Sequence, residues 1–310
     1  MNTEKPLIKL YRKRSFSEKM SDTFDFIGEN FRTLLKYVTY LLLPVALVQS
    51  FCMTNFMSSY MQAIDQIGGG KSIGELLPWI GSMGLYMLVQ FVAIILLYAL
   101  TTTMMQLYEK RPDRLQSVTF ADLRPGIVKL SLRQLVLLLT GIVLMGVIVL
   151  VMVLLIAISP LLILPAVLLL IVVAPLFTLV YPIYLFEDTD IVSAYSKSVR
   201  LGWQTWGGIV AVIFVLYIIS SILQGLVSTP WYIMVVAKSI FSMRGDTGGF
   251  VSSFGYTAIQ YLLGVLSCFC GTCMMVLMVV GIAYQYGHAC DKIDGVGVDQ
   301  DIEHFETLNT

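Results

Sequence analysis

The sequence predicts an all-α integral membrane fold: six transmembrane helices in three hairpins, with cytoplasmic amphipathic helices and an internal parallel repeat. Three observations carry this reading. First, 57% of the 310 residues are hydrophobic and only 13% are charged, against about 25% charged in an ordinary soluble domain. Second, charge is missing in blocks. None lies between Lys36 and Asp65, Glu75 and Glu109, Arg133 and Glu187, Arg200 and Lys238, or Asp246 and Asp291. Each gap meets the ~20 apolar residues needed to cross a ~30 Å hydrocarbon core. The runs are continuously apolar rather than alternating, which makes helices and not a barrel. Third, Lys and Arg are lopsided. Seventeen of the 20 fall in the N-terminal segment, the 106–133 loop, the 187–206 loop and the tail, and only Lys71, Lys238 and Arg244 fall in the other loops. By the positive-inside rule both termini are expected to be cytoplasmic, and the expected location is the cell inner membrane.

In chain order, residues 1–290 form a six-span membrane domain and 291–310 an acidic cytoplasmic tail. A first amphipathic helix is expected at about 16–33, started by the capping box Ser15-x-x-Glu18. Spans follow at about 34–56 and 79–105. The charge-free stretch after Arg133 would extend about 80 Å as one helix, so it must fold back. Ser159-Pro160 is the place, because proline removes a backbone donor and clashes with the preceding turn. That gives spans at 132–158 and 160–186. A second amphipathic helix at about 190–206, capped by Asp190, leads into spans at 207–227 and 256–287. The first 33 residues lack the apolar core of a cleavable leader, so none is expected. Aromatic residues such as Tyr37, Trp79, Tyr184, Trp206 and Trp231 fall near span ends, at headgroup level.

The repeat relates residues 16–35 to 191–210 at an offset of 175. Phe16, Met20, Phe24, Phe31 and Leu35 align with Ile191, Tyr195, Val199, Trp206 and Val210. Both sets recur at helical spacing and give one apolar stripe. Glu18, Lys19, Asp22, Asp25 and Glu29 are assigned to the polar face of the first copy. A weaker third version (Phe120, Leu123, Ile127, Leu130) precedes the middle hairpin and is interrupted by Pro125-Gly126. Phe16, Met20, Phe24, Phe31, Tyr195, Val199, Trp203 and Trp206 are therefore the candidate contacts to the membrane interface or to a partner.

Two segments carry a family resemblance: SFSEKMSDTFDFIGENFRTLLKYVTYLLLP (15–44) and PIYLFEDTDIVSAYSKSVRLGWQTWGGI (182–209). With the hydropathy pattern, they resemble bacterial multi-pass proteins related to the membrane domain of glycerophosphoryl diester phosphodiesterases. In such enzymes the chemistry belongs to a separate soluble barrel, which needs about 250 residues. This chain has no stretch of that kind, so the resemblance implies a membrane module near lipid and no catalytic residue.

Several clusters invite chemistry. Cys268, Cys270 and Cys273 include a C-x-x-C, the spacing of a redox pair or half a metal site, but they sit mid-span, where small cysteines pack helices. Gly68-Gly69-Gly70-Lys71-Ser72 has Asp65 where a phosphate-binding loop needs glycine, and reads as a turn. Pro160, Pro165, Pro175 and Pro182 kink the fourth span without an accompanying charge. Glu187-Asp188-x-Asp190 has the oxygen ligands of a hard cation, but carboxylates also favour helix N-termini. His288 and His304 have no nucleophile beside them. Gln90, Thr101–Thr103, Gln224, Gln260 and Gln285 are the polar residues inside spans, where such groups bond across helices.

No cofactor or metal is expected, net charge is zero, and nucleic acid is not an expected partner. The expected function is a non-enzymatic membrane module that scaffolds a membrane protein partner or organises membrane lipid. The alternative is a transporter or flippase-like carrier of a lipid or amphipathic small molecule. An enzyme using the cysteine cluster is the least favoured.

Overall fold

The computed structural model describes residues 7–68, 76–243, 251 and 253–297. Gly69 to Ser72, Lys71 among them, Arg244, and the tail from Val298 with its His304 lie outside the described residues. The secondary structure of the described residues is all helical: α1 (Phe16–Glu29), α2 (Phe31–Gly68), α3 (Leu77–Lys110), α4 (Phe120–Ile158), α5 (Ile163–Phe177), α6 (Val180–Phe186), α7 (Ile191–Met243) and α8 (Phe254–Ile293). Six apolar segments among the described residues are long enough to cross a membrane, α5 and α6 together making one of them. This is a multi-pass membrane protein.

Local sequence explains the boundaries. Ser15 caps α1: its Oγ accepts the Glu18 N–H at 3.3 Å and its own N–H donates to Glu18 Oε2 at 2.7 Å. These bonds hold the Glu18 carboxyl below its ordinary range. Asp190 caps α7 by accepting the Ser193 N–H at 3.0 Å. Ser159 adopts an extended conformation (φ −161°, ψ 126°) and Pro160 opens a short 3-10 turn, so the chain reverses where proline forbids a continued helix. The fourth span is broken again between Phe177 and Val180, among Pro175 and Pro182. Pro125-Gly126, however, does not interrupt α4. The proline stands near the start of the helix, and Gly126 lets α4 approach Thr103 of α3 so closely that a Cβ would sit 2.5 Å from the Thr103 methyl.

The segments at 16–30 and 191–205 share a burial pattern. In α1 the buried positions are Lys19, Thr23, Phe26 and the terminal Asn30. At the offset of 175 they are Ala194, Ser198, Leu201 and Thr205 in α7. Both segments break at the last of these, Asn30 at φ −104° and Thr205 at φ −123°. In each, the side chain at the break bonds the carbonyl four residues back: Asn30 Nδ2 to Phe26 O at 2.9 Å, and Thr205 Oγ1 to Leu201 O at 2.8 Å. Such back-bonding bends helices. In α4 the same spacing buries Leu123, Ile127, Leu130 and Gln134, but that helix runs straight on.

The chain divides into two compact units. The first holds the N-terminal segment, α1, the end of α3, α4 to α6, the start of α7 and the end of α8. Its centre is Phe26, edge-on to Tyr108 (5.1 Å) and Tyr284 (6.4 Å). The second holds most of α2, the start of α3, the end of α7 and the start of α8. It is joined by polar contacts: Gln49 to Gln90, Ser50 Oγ to Tyr261 O at 3.0 Å, and Gln224 Nε2 to Ser267 O at 3.1 Å. Ser228 Oγ also accepts from Ser267 Oγ at 2.9 Å. Between apolar helices such bonds act as glue.

Candidate functional site: the polar layer of the first unit

The charges of the first unit gather where its helices end, and most are paired. The segment from Leu7 to Ser15 runs as a strap over α8. Gly287 makes this possible: a Cβ there would stand 2.0 Å from Leu10 O. The strap is pinned by Leu10 N–H donating to the Glu109 carboxylate, by Tyr11 against Tyr286 (O to O 3.1 Å), and by Arg14 N–H donating to His288 Nδ1 at 2.9 Å. Burial pushes the Tyr11 phenol up to about 12. The buried Arg14 guanidinium donates to Asp22 (2.6 Å) and to Leu10 O (2.8 Å) and stacks over Tyr284 at 4.8 Å.

A second cluster surrounds the α6–α7 junction. Glu187 Oε1 accepts from Lys197 Nζ at 2.6 Å and from the Tyr286 hydroxyl. Asp188 is bridged by Lys129 (3.0 Å) and Arg133 (2.9 Å). Arg133 also donates to Glu187 O and Thr189 O and lies over the Tyr184 ring. Bonding to Lys129 holds the Asp188 carboxyl low, and bonding to Ser193 does so for Asp190. Each carboxylate of the Glu187-Asp188-x-Asp190 motif thus has a protein partner. Among the described residues, no group of three or more His, Cys, Asp or Glu could hold a metal ion.

Among the described residues, Lys19 is buried without such a partner. Lys19 is only 4% exposed, not on a solvated face as the sequence pattern indicates. The reason is that α1 turns its Lys19–Thr23–Phe26 edge into the protein and leaves Phe16 and Phe24 exposed. Its ammonium lies near Gln285, which is 1% exposed and whose amide nitrogen and oxygen both lack a hydrogen-bond partner. Both face Gly208. A Cβ on that glycine would be 3.2 Å from Gln285 Nε2, 3.3 Å from Oε1 and 3.5 Å from Lys19 Nζ. Burial, with Lys292 and Arg14 nearby, lowers the Lys19 pKa to about 8.

The other sequence candidates are dispersed. Val199 and Trp203 are exposed, and Met20 is half-buried. Tyr195 packs edge-on to Phe177, and Trp206 Nε1 donates to Val172 O at 2.8 Å. Ser198 Oγ donates to Leu176 O at 2.6 Å. Carbonyls beside the break in the fourth span are therefore taken by α7. Cys268, Cys270 and Cys273 are free thiols, and Cys268 Sγ lies 3.8 Å from Met53 Sδ. A cavity of about 10 Å³, room for about one water, is lined by Leu10, Phe26, Tyr108, Glu109 and Tyr284 among others. Arg14, Lys19 and Gly208 were missed as site residues. The signal that could have found them is a lysine at the spacing of Thr23, Phe26 and Asn30.

Comparison with known families, characterised proteins and solved structures finds no match for this chain.

Proposed function

We propose that the chain is a non-enzymatic membrane module that scaffolds a membrane protein partner, oriented with both termini cytoplasmic in an inner membrane. The observation that carries this is the α4–α5 hairpin. No residue from Leu135 to Pro175 is buried. Leu161 at its tip is 85% exposed. The hairpin is apolar on every side and encloses nothing, as a transport path or catalytic pocket would require. Lipid tails cover such a surface, but a second set of transmembrane helices covers it with closer van der Waals packing. The shared burial pattern of the segments at 16–30 and 191–205 supports the internal repeat. The resemblance to membrane domains of glycerophosphoryl diester phosphodiesterases fits a module whose chemistry resides elsewhere.

The test is photo-crosslinking in native membranes from residues introduced at Val143, Leu150 and Leu168, with mild-detergent purification and mass spectrometry of the adducts. A stoichiometric protein adduct at these sites supports the scaffold. Adducts to lipid alone overturn it in favour of a lipid-organising or lipid-carrying role.

A further inference from the structure

The strap from Leu7 to Ser15 is neither helix nor strand, and it lies on the surface. Leu7, Lys9, Arg12 and Lys13 are exposed, while Leu10 and Arg14 are buried. Side chains read its main chain. The Ile8 backbone bonds the Tyr108 hydroxyl, Leu10 N–H donates to the Glu109 carboxylate, and Arg14 N–H donates to His288 Nδ1. Each buried side chain of the strap has its own socket. Leu10 stands among Phe26, Met105, Tyr108, Phe186 and Tyr284, with about 10 Å³ left unfilled. Arg14 is held by Asp22 at 2.6 Å and by the Tyr284 ring at 4.8 Å. Gly287 and Gly297 give the backbone room to pass: a Cβ would stand 2.0 Å from Leu10 O on the first and 2.8 Å from Tyr11 O on the second. Acceptors for the main chain, with an apolar socket and an acidic, aromatic one four residues apart, are what a groove uses to recognise an extended peptide.

The docked strap also meets opposition. Arg14 enters beside a buried lysine: the charged neighbours of Lys19 are Lys292 and Arg14 itself, and the same three cations surround His288. Asp22 lies three residues after Lys19, a neighbour on the surface of α1, but Arg14 engages it. With the strap on, Asp22 serves Arg14 and Lys19 stays unpaired, which is costly for a buried charge. With the strap off, Asp22 is free to pair with Lys19, and the repulsion between Lys19 and Arg14 is gone. The open state thus recovers part of what the closed state gains, which narrows the gap between the two.

We propose that this groove is a binding site for an extended peptide with an apolar residue four positions before an arginine, closed in cis by the strap until such a partner segment displaces it. Asp22 passes from Arg14 to Lys19 as the strap leaves. The strap's own side chains define what fits, and the space beside Leu10 admits a bulkier apolar residue than the strap supplies. The groove is separate from the α4–α5 hairpin and does not depend on the scaffold reading.

The experiment uses the full chain in a mild detergent and a fluorescent peptide of the strap sequence, LIKLYRKRS, read by anisotropy. A control peptide carries serine and glutamine at the places of Leu10 and Arg14. The wild type, with its groove occupied, is expected to bind the strap peptide weakly. Leu10→Ser loosens the strap without altering the groove walls, and should bind the strap peptide about tenfold tighter than the wild type but the control peptide no better. Gly287→Ala also loosens the strap, yet its methyl stands where the peptide backbone must pass, so it should show no such gain. Lys19→Met removes the repulsion and the alternative partner of Asp22, and should slow trypsin cleavage at Arg12 and Lys13 about threefold. Equal binding of the two peptides, no gain in Leu10→Ser, retained lipid in place of peptide in that variant, or unchanged cleavage in Lys19→Met overturns the proposal. Should Leu10→Ser fail to fold, the wild type with excess photo-reactive strap peptide decides: adducts within 105–109 or 284–288 support the groove, and adducts elsewhere or none overturn it.

Discussion

Gly287→Ala separates two opposing effects at one atom. In an exposed helix the change would stabilise by about 1 kcal/mol, since alanine loses less backbone entropy than glycine. Here the added methyl would stand 2.0 Å from Leu10 O and 2.8 Å from Leu10 C. Both are backbone atoms, so no side-chain rotation relieves the contact, and the strap must lift from α8. Lifting it breaks three bonds: Arg14 N–H to His288, Tyr11 to Tyr286, and Leu10 N–H to the Glu109 carboxylate. Neutral bonds contribute about 1 kcal/mol each and a bond to a charged group about 1.5–3. After the helix gain is subtracted, docking of the strap should weaken by roughly 2–4 kcal/mol, at least a 30-fold rise in its open population. Limited trypsin digestion at Lys9, Arg12 and Lys13 reads this directly, with a thermal scan alongside. Gly281→Ala is the control, because the atom it meets, Leu216 Cδ1 at 2.2 Å, is the end of a flexible side chain that can turn away. The reasoning is refuted if Gly287→Ala leaves cleavage unchanged and raises the melting temperature.

Further outcomes follow from the same layer. Arg133→Lys should destabilise the first unit by about 2 kcal/mol, nearly as much as Arg133→Ala. One ammonium cannot replace a guanidinium fork that reaches Asp188, Glu187 O and Thr189 O at once; equal melting temperatures for wild type and Arg133→Lys would contradict this. Lys71→Cys and Lys110→Cys, in a background without the native cysteines, should label with an impermeant maleimide from opposite membrane faces. Labelling from one face refutes the proposed orientation. Cys270→Ser and Cys273→Ser should leave purification yield and melting temperature within error of wild type, whereas a shared loss would point to thiol chemistry.

Much of the fold was legible because the solvent imposes it. Charge cannot be spread along a span, so gaps between Lys36 and Asp65 or Arg133 and Glu187 locate helices before any packing is known. Ser159-Pro160 was legible because length forces a reversal and proline offers it. The capping residues Ser15 and Asp190 were legible because their bonding is local. The inward edge of α1 was not. Sequence periodicity assigns an apolar stripe to the protein interior and a polar one to water, but at an interface the apolar stripe has lipid to face. Phe16, Phe24 and Phe31 can therefore remain exposed while Lys19, Thr23 and Asn30 turn inward. No pattern in residues 16–35 alone reveals this choice. The three-dimensional pairing of distant residues, such as Glu187 with Tyr286 or Arg14 with His288, is equally invisible to spacing.

Comparing the segments with one another shows that the fold itself does not require a charge at position 19. The structurally matching position is Ala194 in α7 and Leu123 in α4, both buried. A lysine there is a departure from what packing asks for, and replacing a buried charge by an apolar residue of similar size is often neutral or stabilising. Lys19→Met should accordingly raise the melting temperature of the lipid-stripped protein near neutral pH. The pH dependence gives the sign an independent check. With its folded pKa lowered to about 8 and an unfolded value near 10.4, Lys19 releases its proton earlier in the folded state than in the unfolded one. The unfolded chain then binds more protons between about pH 8 and 10.4, so stability rises with pH across that window, by up to about 1.4 kcal/mol per unit. Lys19→Met should flatten that rise. If the wild type loses stability from pH 8 to 9.5, or if Lys19→Met is less stable than wild type, then the lysine contributes to the packing rather than departing from it.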